Sequence, residues 1–174
     1  LNNDSTRGIL DNADATLSIT GDQSIGNLTL TAGTISSETS GALSFATADG
    51  IATNSSVKLT GGASLFKRGN GTFVQDLMAE TTGGIGVGEG KLVLTGNARF
   101  PNSTVFKVLG NGRAELEARN LLGKNTKVYM ETTAVLDLAG DQRVKELYVD
   151  GVRQCDGIYR FSGGGRLMVG NIGL

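Results

Sequence analysis

The sequence predicts an all-β chain wound as a β-solenoid in a single domain, and three observations carry that expectation. Apolar and polar residues alternate in short segments along the chain, clusters of Gly, Asn, Asp, Ser and Thr separate those segments, and aromatic residues make up only 5%. Alternation of period two marks strands with one buried face. The small polar clusters supply corners, because glycine takes positive φ at little cost. Few rings suit the narrow interior of stacked rungs, filled by Val, Leu, Ile, Ala, Ser and Thr, better than the thick core between two packed sheets.

The alternating pairs run in order as Leu17 and Ile19, Leu28 and Leu30, Leu43 and Phe45, Val57 and Leu59. They continue with Leu92 and Leu94, Leu116 and Ala118, Leu136 and Leu138, Leu147 and Val149, and Leu167 and Val169. Their neighbours are mostly Thr, Ser, Lys, Asp and Glu, as in LSIT, LTLT, VKLT and LDL, so the second face meets water. The connecting clusters TAG, TSG, TNSS, GNG, LGNG and SGGG read as corners. Spacing between the pairs is uneven, which predicts degenerate coils with outward loops and not a strict short repeat. One stretch competes with this reading: GRAELEARNLLGK, residues 112–124, has good helix formers and a Glu115–Arg119 pair at helical spacing. The alternation of Ala114, Leu116 and Ala118 favours a strand there.

Composition bounds the rest. A chain of 174 residues fits one domain, 1–174, and is long enough for a continuous core. Its 27 glycines weigh against a helical body, since each one inside a helix costs about 1 kcal/mol. Sixteen basic against seventeen acidic residues leave a net charge of -1, which supplies no field for nucleic acid or an anionic membrane. The absence of His and Trp removes the commonest general base, the commonest zinc ligand and the strongest stacking ring. The lone Cys155 forms no internal disulfide. No apolar run approaches the roughly 18 residues of a membrane span, and no signal peptide opens the sequence. Beginning at Leu1, the chain reads as a processed product or an excised piece.

Two stretches carry a resemblance. Leu65, Lys67, Gly69, Gly71, Thr72 and Phe73, followed by Gly84, Ile85, Val87, Gly90, Leu92 and Leu94, resemble the autotransporter-associated β-strand repeat of bacterial surface and secreted proteins. Residues 146–174 are similar to the terminal segment of such proteins through Leu147, Tyr148, Gly151, Gly157, Tyr159, Gly163, Gly165, Leu167 and Val169, which places the natural end near Leu174. Gln75 departs from the pattern where a leucine is usual, and Cys155 where proline is common. The first 60 residues match only in texture. The resemblance implies a right-handed parallel β-helix exported from a bacterium as a passenger, stalk or adhesive surface, with no catalytic site. In this reading Gly69-Asn70-Gly71 is a corner, entered by a strand ending in Lys67 and Arg68. A phosphate cradle is the alternative, but the Gly-Lys-Ser/Thr ending of a P-loop is missing.

Asp4, Asp11, Asp14 and Asp22 crowd the N-terminal stretch but lack EF-hand spacing, so solvated turns are the plainer reading. Asp137, Asp141, Glu146, Asp150 and Asp156 raise a polysaccharide-cleaving cluster. Only Tyr148, Tyr159 and Phe161 lie near them as stacking rings, and outward strand residues or turn formers account for them more simply. Cys155 is read as a small apolar residue of a tight hairpin, with an exposed thiol bridging two molecules as the alternative. Asn3, Asn27, Asn54, Asn70 and Asn102 begin Asn-x-Ser/Thr triplets, which a sequence this rich in those residues forms by chance. No catalytic, cofactor-binding or metal residue is therefore assigned.

The expected function is that of a non-catalytic, extracellular structural rod at the bacterial cell surface. A solenoid end exposes unpaired backbone groups, and no amphipathic capping helix is visible at either terminus. Copies are thus expected to stack head to tail into an open filament, with residues 1–12 as an extended arm or a strand lent to a neighbour. The alternatives are an adhesin that binds surface glycans or matrix polymers, and a polysaccharide-cleaving β-helix enzyme.

Overall fold

The computed structural model describes residues 2–170, the first six of them as backbone alone. Leu1 and 171–174 lie outside the described residues, as do the side chains of Asn3 and Asp4. The strands are β1 (Asn2–Ser18), β2 (Gln23–Ala46), β3 (Ala52–Arg68), β4 (Thr72–Gln75), β5 (Glu80–Thr81), β6 (Gly84–Val87), β7 (Lys91–Leu94) and β8 (Val105–Val108). They continue as β9 (Arg113–Leu116), β10 (Lys127–Met130), β11 (Val135–Leu138), β12 (Gln142–Val144), β13 (Glu146–Val149), β14 (Val152–Arg153), β15 (Gly157–Arg160) and β16 (Arg166–Val169).

The chain is an all-β parallel solenoid of about eight turns forming one body. One face stacks β1, β2, β3, β6, β8, β10 and β13 in parallel. A second stacks the start of β3 on β4, β7, β9 and β11, again in parallel. The third side is less regular, held by β5 on β3, a Phe100–Leu122 bridge and β12 on β16. β2 runs unbroken for 24 residues because pairing continues round its corner, with one shift of register between Ser37 and Gly41. The disputed stretch 112–124 contains β9, held between β7 and β11. That pairing satisfies the backbone groups a helix would otherwise satisfy.

Parallel register turns the sequence alternation into vertical stacks. Leu43, Leu65, Ile85, Phe106, Val128 and Leu147 lie one above another inside the first face, and all are buried. Phe73, Leu92, Ala114 and Leu136 do the same inside the second. Each such Leu, Ile, Val or Phe contributes about 1.5–3 kcal/mol by leaving water.

The interior takes more rings than the expected filling of Val, Leu, Ile, Ala, Ser and Thr provided for. Phe45, Phe73, Phe100 and Phe106 are fully buried. Phe45 and Phe73 meet edge to face, with centroids 4.9 Å apart at 71°. A ring from each of two faces thus spans an interior that two small side chains would leave open. Gln75 is buried too, because its stack runs Ser55, Gln75, Leu94, Leu116, Leu138. Its amide nitrogen donates to the Val57 carbonyl at 2.7 Å, which offsets part of the cost of burying the side chain, while its amide oxygen finds no partner.

The last turn abandons the parallel pattern. β14 pairs antiparallel with β13, β15 antiparallel with β16, and Ser162 bridges to Asp137 of β11. Each of the three sides therefore ends on backbone supplied by the terminal segment itself. Cys155 lies in the loop between β14 and β15 and is exposed, so the packed hairpin position expected for it is not what forms. Among the described residues no helix is long and apolar enough to cross a membrane.

Candidate functional site

The corner that follows β3 shows why a lysine stands beside Gly-Asn-Gly. Strand parity points Leu65 and Lys67 inward and Phe66 and Arg68 outward. Lys67 is 1% exposed, stacked between Phe45 below and Val87 above. Its ammonium donates to the Gly69 carbonyl and, at 2.9 Å, to the Glu89 carbonyl of the next rung. The Glu89 carboxylate in turn accepts the Gly69 N–H at 2.9 Å. Burial pushes the Lys67 ammonium down to about 8, while the Glu89 carboxylate works in the opposite direction. Gly90, at φ +63°, closes the corner: a Cβ there would come within 2.5 Å of the Gly69 and Gly71 carbonyl oxygens. The arrangement ties two rungs together: backbone carbonyls face the cation, and the Gly69 amide is taken by the Glu89 carboxylate.

The five C-terminal carboxylates are not gathered into one site. Asp137 pairs with Arg113 and accepts from Ser162, and Asp150 accepts the Thr132 N–H at 3.0 Å. Glu146 meets Lys127 at 3.1 Å and Tyr148 Oη at 2.7 Å, and those partners hold its carboxyl below the usual range. Asp156 pairs with Arg153 at 3.2 Å. Asp22 accepts the Ala42 N–H at 3.0 Å. Among the described residues no group of three or more His, Cys, Asp or Glu is placed to hold a metal ion.

Asp141 ties the last turn down. It accepts the Arg166 N–H at 2.9 Å and Nε at 3.1 Å, and the guanidinium holds its carboxyl below the ordinary range. A carboxylate whose folded pKa is depressed lends stability above its unfolded pKa and loses it as pH falls through the folded one. Asp141→Asn is therefore expected to lower the thermal midpoint at pH 7. The gap should close on acidification through the carboxylate range, read by circular dichroism melts at each pH.

The outer surface of the first face has a different character. A groove of about 910 Å³ crosses β2, β3, β6 and β8, floored by Gly84 and Gly86 and bordered by Ser44, Phe66, Arg68 and Lys107. Successive rungs place Ser44, Phe66, Gly86, Lys107, Tyr129 and Tyr148 in one outward column. The Phe66 ring lies over the glycines, since a Cβ on Gly86 or Gly88 would come 3.0 Å from its edge. Tyr129 and Tyr148 stack with centroids 4.7 Å apart and planes 12° from parallel. On the second face the outward positions are filled by ion pairs, Lys91–Glu115 at 2.7 Å and Arg113–Asp137 at 2.5 Å.

Sequence reasoning singled out Tyr148 but neither Phe66 nor Tyr129 as its companions. The steps between them are 20, 21, 22 and 19 residues (66 to 86, 107, 129 and 148), so no fixed period signals the column. Comparison with family models, curated proteins and solved structures gave no match.

Proposed function

We propose that this chain is a non-catalytic structural module of the bacterial exterior, a right-handed solenoid of the autotransporter-associated repeat kind that acts as a rod. The observation that carries the reading is the continuous parallel stack of about eight turns, in which Glu115, Asp137 and Glu146 are engaged in ion pairs between rungs. Rungs about 4.8 Å apart give such a stack a length of roughly 35 Å. The residues that resemble the repeat, Leu65, Lys67, Gly69 and Gly71, occupy an inner stack and a corner, which are structural positions.

End-to-end assembly enters this reading in a restricted form. Among the described residues β1 pairs only with β2, whereas β14, Ser162 and β15 occupy the edges of β13, β11 and β16. A neighbour's first strand reaches those parallel edges only after the terminal strands leave them. Separate rods are therefore expected in micrographs at neutral pH, with filaments appearing only when the terminal strands are displaced.

Incubation with acidic polysaccharides and a reducing-end assay tests the non-catalytic part. No turnover is expected; product formation that disappears in Asp137→Asn or Asp141→Asn overturns it. Protease shaving of intact source cells tests the location, with release of this chain as the expected result.

A further inference from the structure

We propose that the outer column of the first face is a binding strip for an acidic polysaccharide lying along the solenoid axis. Its sugar rings rest on Phe66 and on the Tyr129–Tyr148 pair, and a carboxylate or sulfate of the chain sits on Lys107.

Three features support one another. The chain has only nine aromatic residues, six Phe and three Tyr. Four of the Phe are buried, and three of the remaining rings fall in this one column. Aromatic rings offer apolar surface to the C–H face of a pyranose, here the outer side of Phe66 and the outward edges of the Tyr129–Tyr148 stack, whose facing sides cover each other.

The charge is placed to match. Lys107 is exposed, and its column neighbours are Gly86 and Tyr129, neither of them acidic. Lys58, Lys91 and Lys127 each pair with a Glu at 3.0, 2.7 and 3.1 Å, whereas among the described residues Lys107 has no ion pair. An ammonium left unpaired between a glycine floor and a tyrosine stack attracts an anion at that point of the column. With a net charge of -1 for the whole chain, the attraction is local and does not extend to polyanions in general.

The spacing also fits a linear glycan. Rungs repeat about every 4.8 Å, close to the advance of one sugar residue in an extended chain. Phe66 and Lys107 are two rungs apart and Lys107 and Tyr129 one, so a ring, a charge and a second ring fall at the first, third and fourth of consecutive rungs. The position between Phe66 and Lys107 is Gly86, which is buried beneath the Phe66 ring, so the ring itself bridges that rung of the strip. At the groove wall Ser64 Oγ accepts the Gly84 N–H at 2.9 Å, which leaves its hydroxyl hydrogen for a sugar oxygen.

The test is calorimetric titration of the intact chain with polygalacturonate, hyaluronan and dextran sulfate, with dextran as the uncharged control. At least one acidic polymer is expected to bind, dextran is not, and added salt should weaken the binding. Lys107→Gln and Tyr129→Ala are each expected to weaken it by about tenfold. Both side chains point outward, and a melt of each variant checks the fold; if Tyr129→Ala melts early, Lys107→Gln decides. The proposal is overturned if no acidic polymer binds, if dextran binds equally, or if Lys107→Gln leaves the affinity unchanged. Failure to bind leaves the rod reading untouched, and release of reducing ends from a bound polymer overturns only the non-catalytic reading.

Discussion

Replacing Lys67 by methionine is expected to destabilise the chain by about 2 kcal/mol at pH 7, since two carbonyls lose their donor at roughly 1–3 kcal/mol each and relief of the buried charge offsets part of that. The two carbonyls belong to Gly69 and Glu89 in adjacent rungs, and both face an interior that water does not reach at Lys67. Methionine matches the volume and satisfies neither. The pH dependence separates this cause from simple repacking. The folded ammonium titrates at about 8 and an unfolded lysine at its ordinary 10.5, so between those values the unfolded state binds more protons. Wild-type stability should then rise with pH from about 8 to 10.5, while the methionine variant lacks that rise. Urea unfolding of both proteins at pH 7, 9 and 10.5 gives the measurement. A gap that stays constant across the series removes the buried-ammonium account.

Phe73→Ala is expected to cost more, about 3–5 kcal/mol, because deleting a buried ring removes its transfer free energy and leaves a cavity. Phe73 is fully buried, stacked on Leu92, and touches Phe45 edge to face across the interior. The Phe45 column continues directly into Lys67, so loss of one ring also slackens the wall of the lysine site. A solenoid transmits such a loss only to neighbouring rungs. Hydrogen exchange should accordingly show the turns around β3, β4 and β7 opening first, with β12 and β16 still protected. Uniform loss of protection through to β16 contradicts the nearest-neighbour picture. As a control on the same scale, Phe66→Ala, one residue before Lys67 but outward, should cost clearly less than Phe73→Ala.

The resemblance to a known repeat led to the right corner but not to the role of its residues. Lys67 shares its parity with the inward Leu65, so its direction was legible, yet a lysine facing a core makes sense only once the next rung's Glu89 carbonyl is there to receive it. Gln75 follows the same logic, inward by parity and acceptable because Val57 lies within reach. Conversely, the run of Asp137, Asp141, Glu146, Asp150 and Asp156 looked like a cluster because it is close in sequence. Three short strands carry it through all three sides of the coil, and each carboxylate meets a different partner.

By itself the sequence determined the all-β character, the single coil and the corners, because period-two alternation and glycine-rich turns act over a few residues and need no distant partner. Only the tertiary structure decided which residues stand above one another: the Phe66–Lys107–Tyr129–Tyr148 column, the buried phenylalanines and the antiparallel last turn. The reason is that lateral pairing joins segments 19 to 22 residues apart through loops of unequal length (Tyr129 to Tyr148, Lys107 to Tyr129), so local parity sets the face of a side chain while the register between turns sets its neighbours.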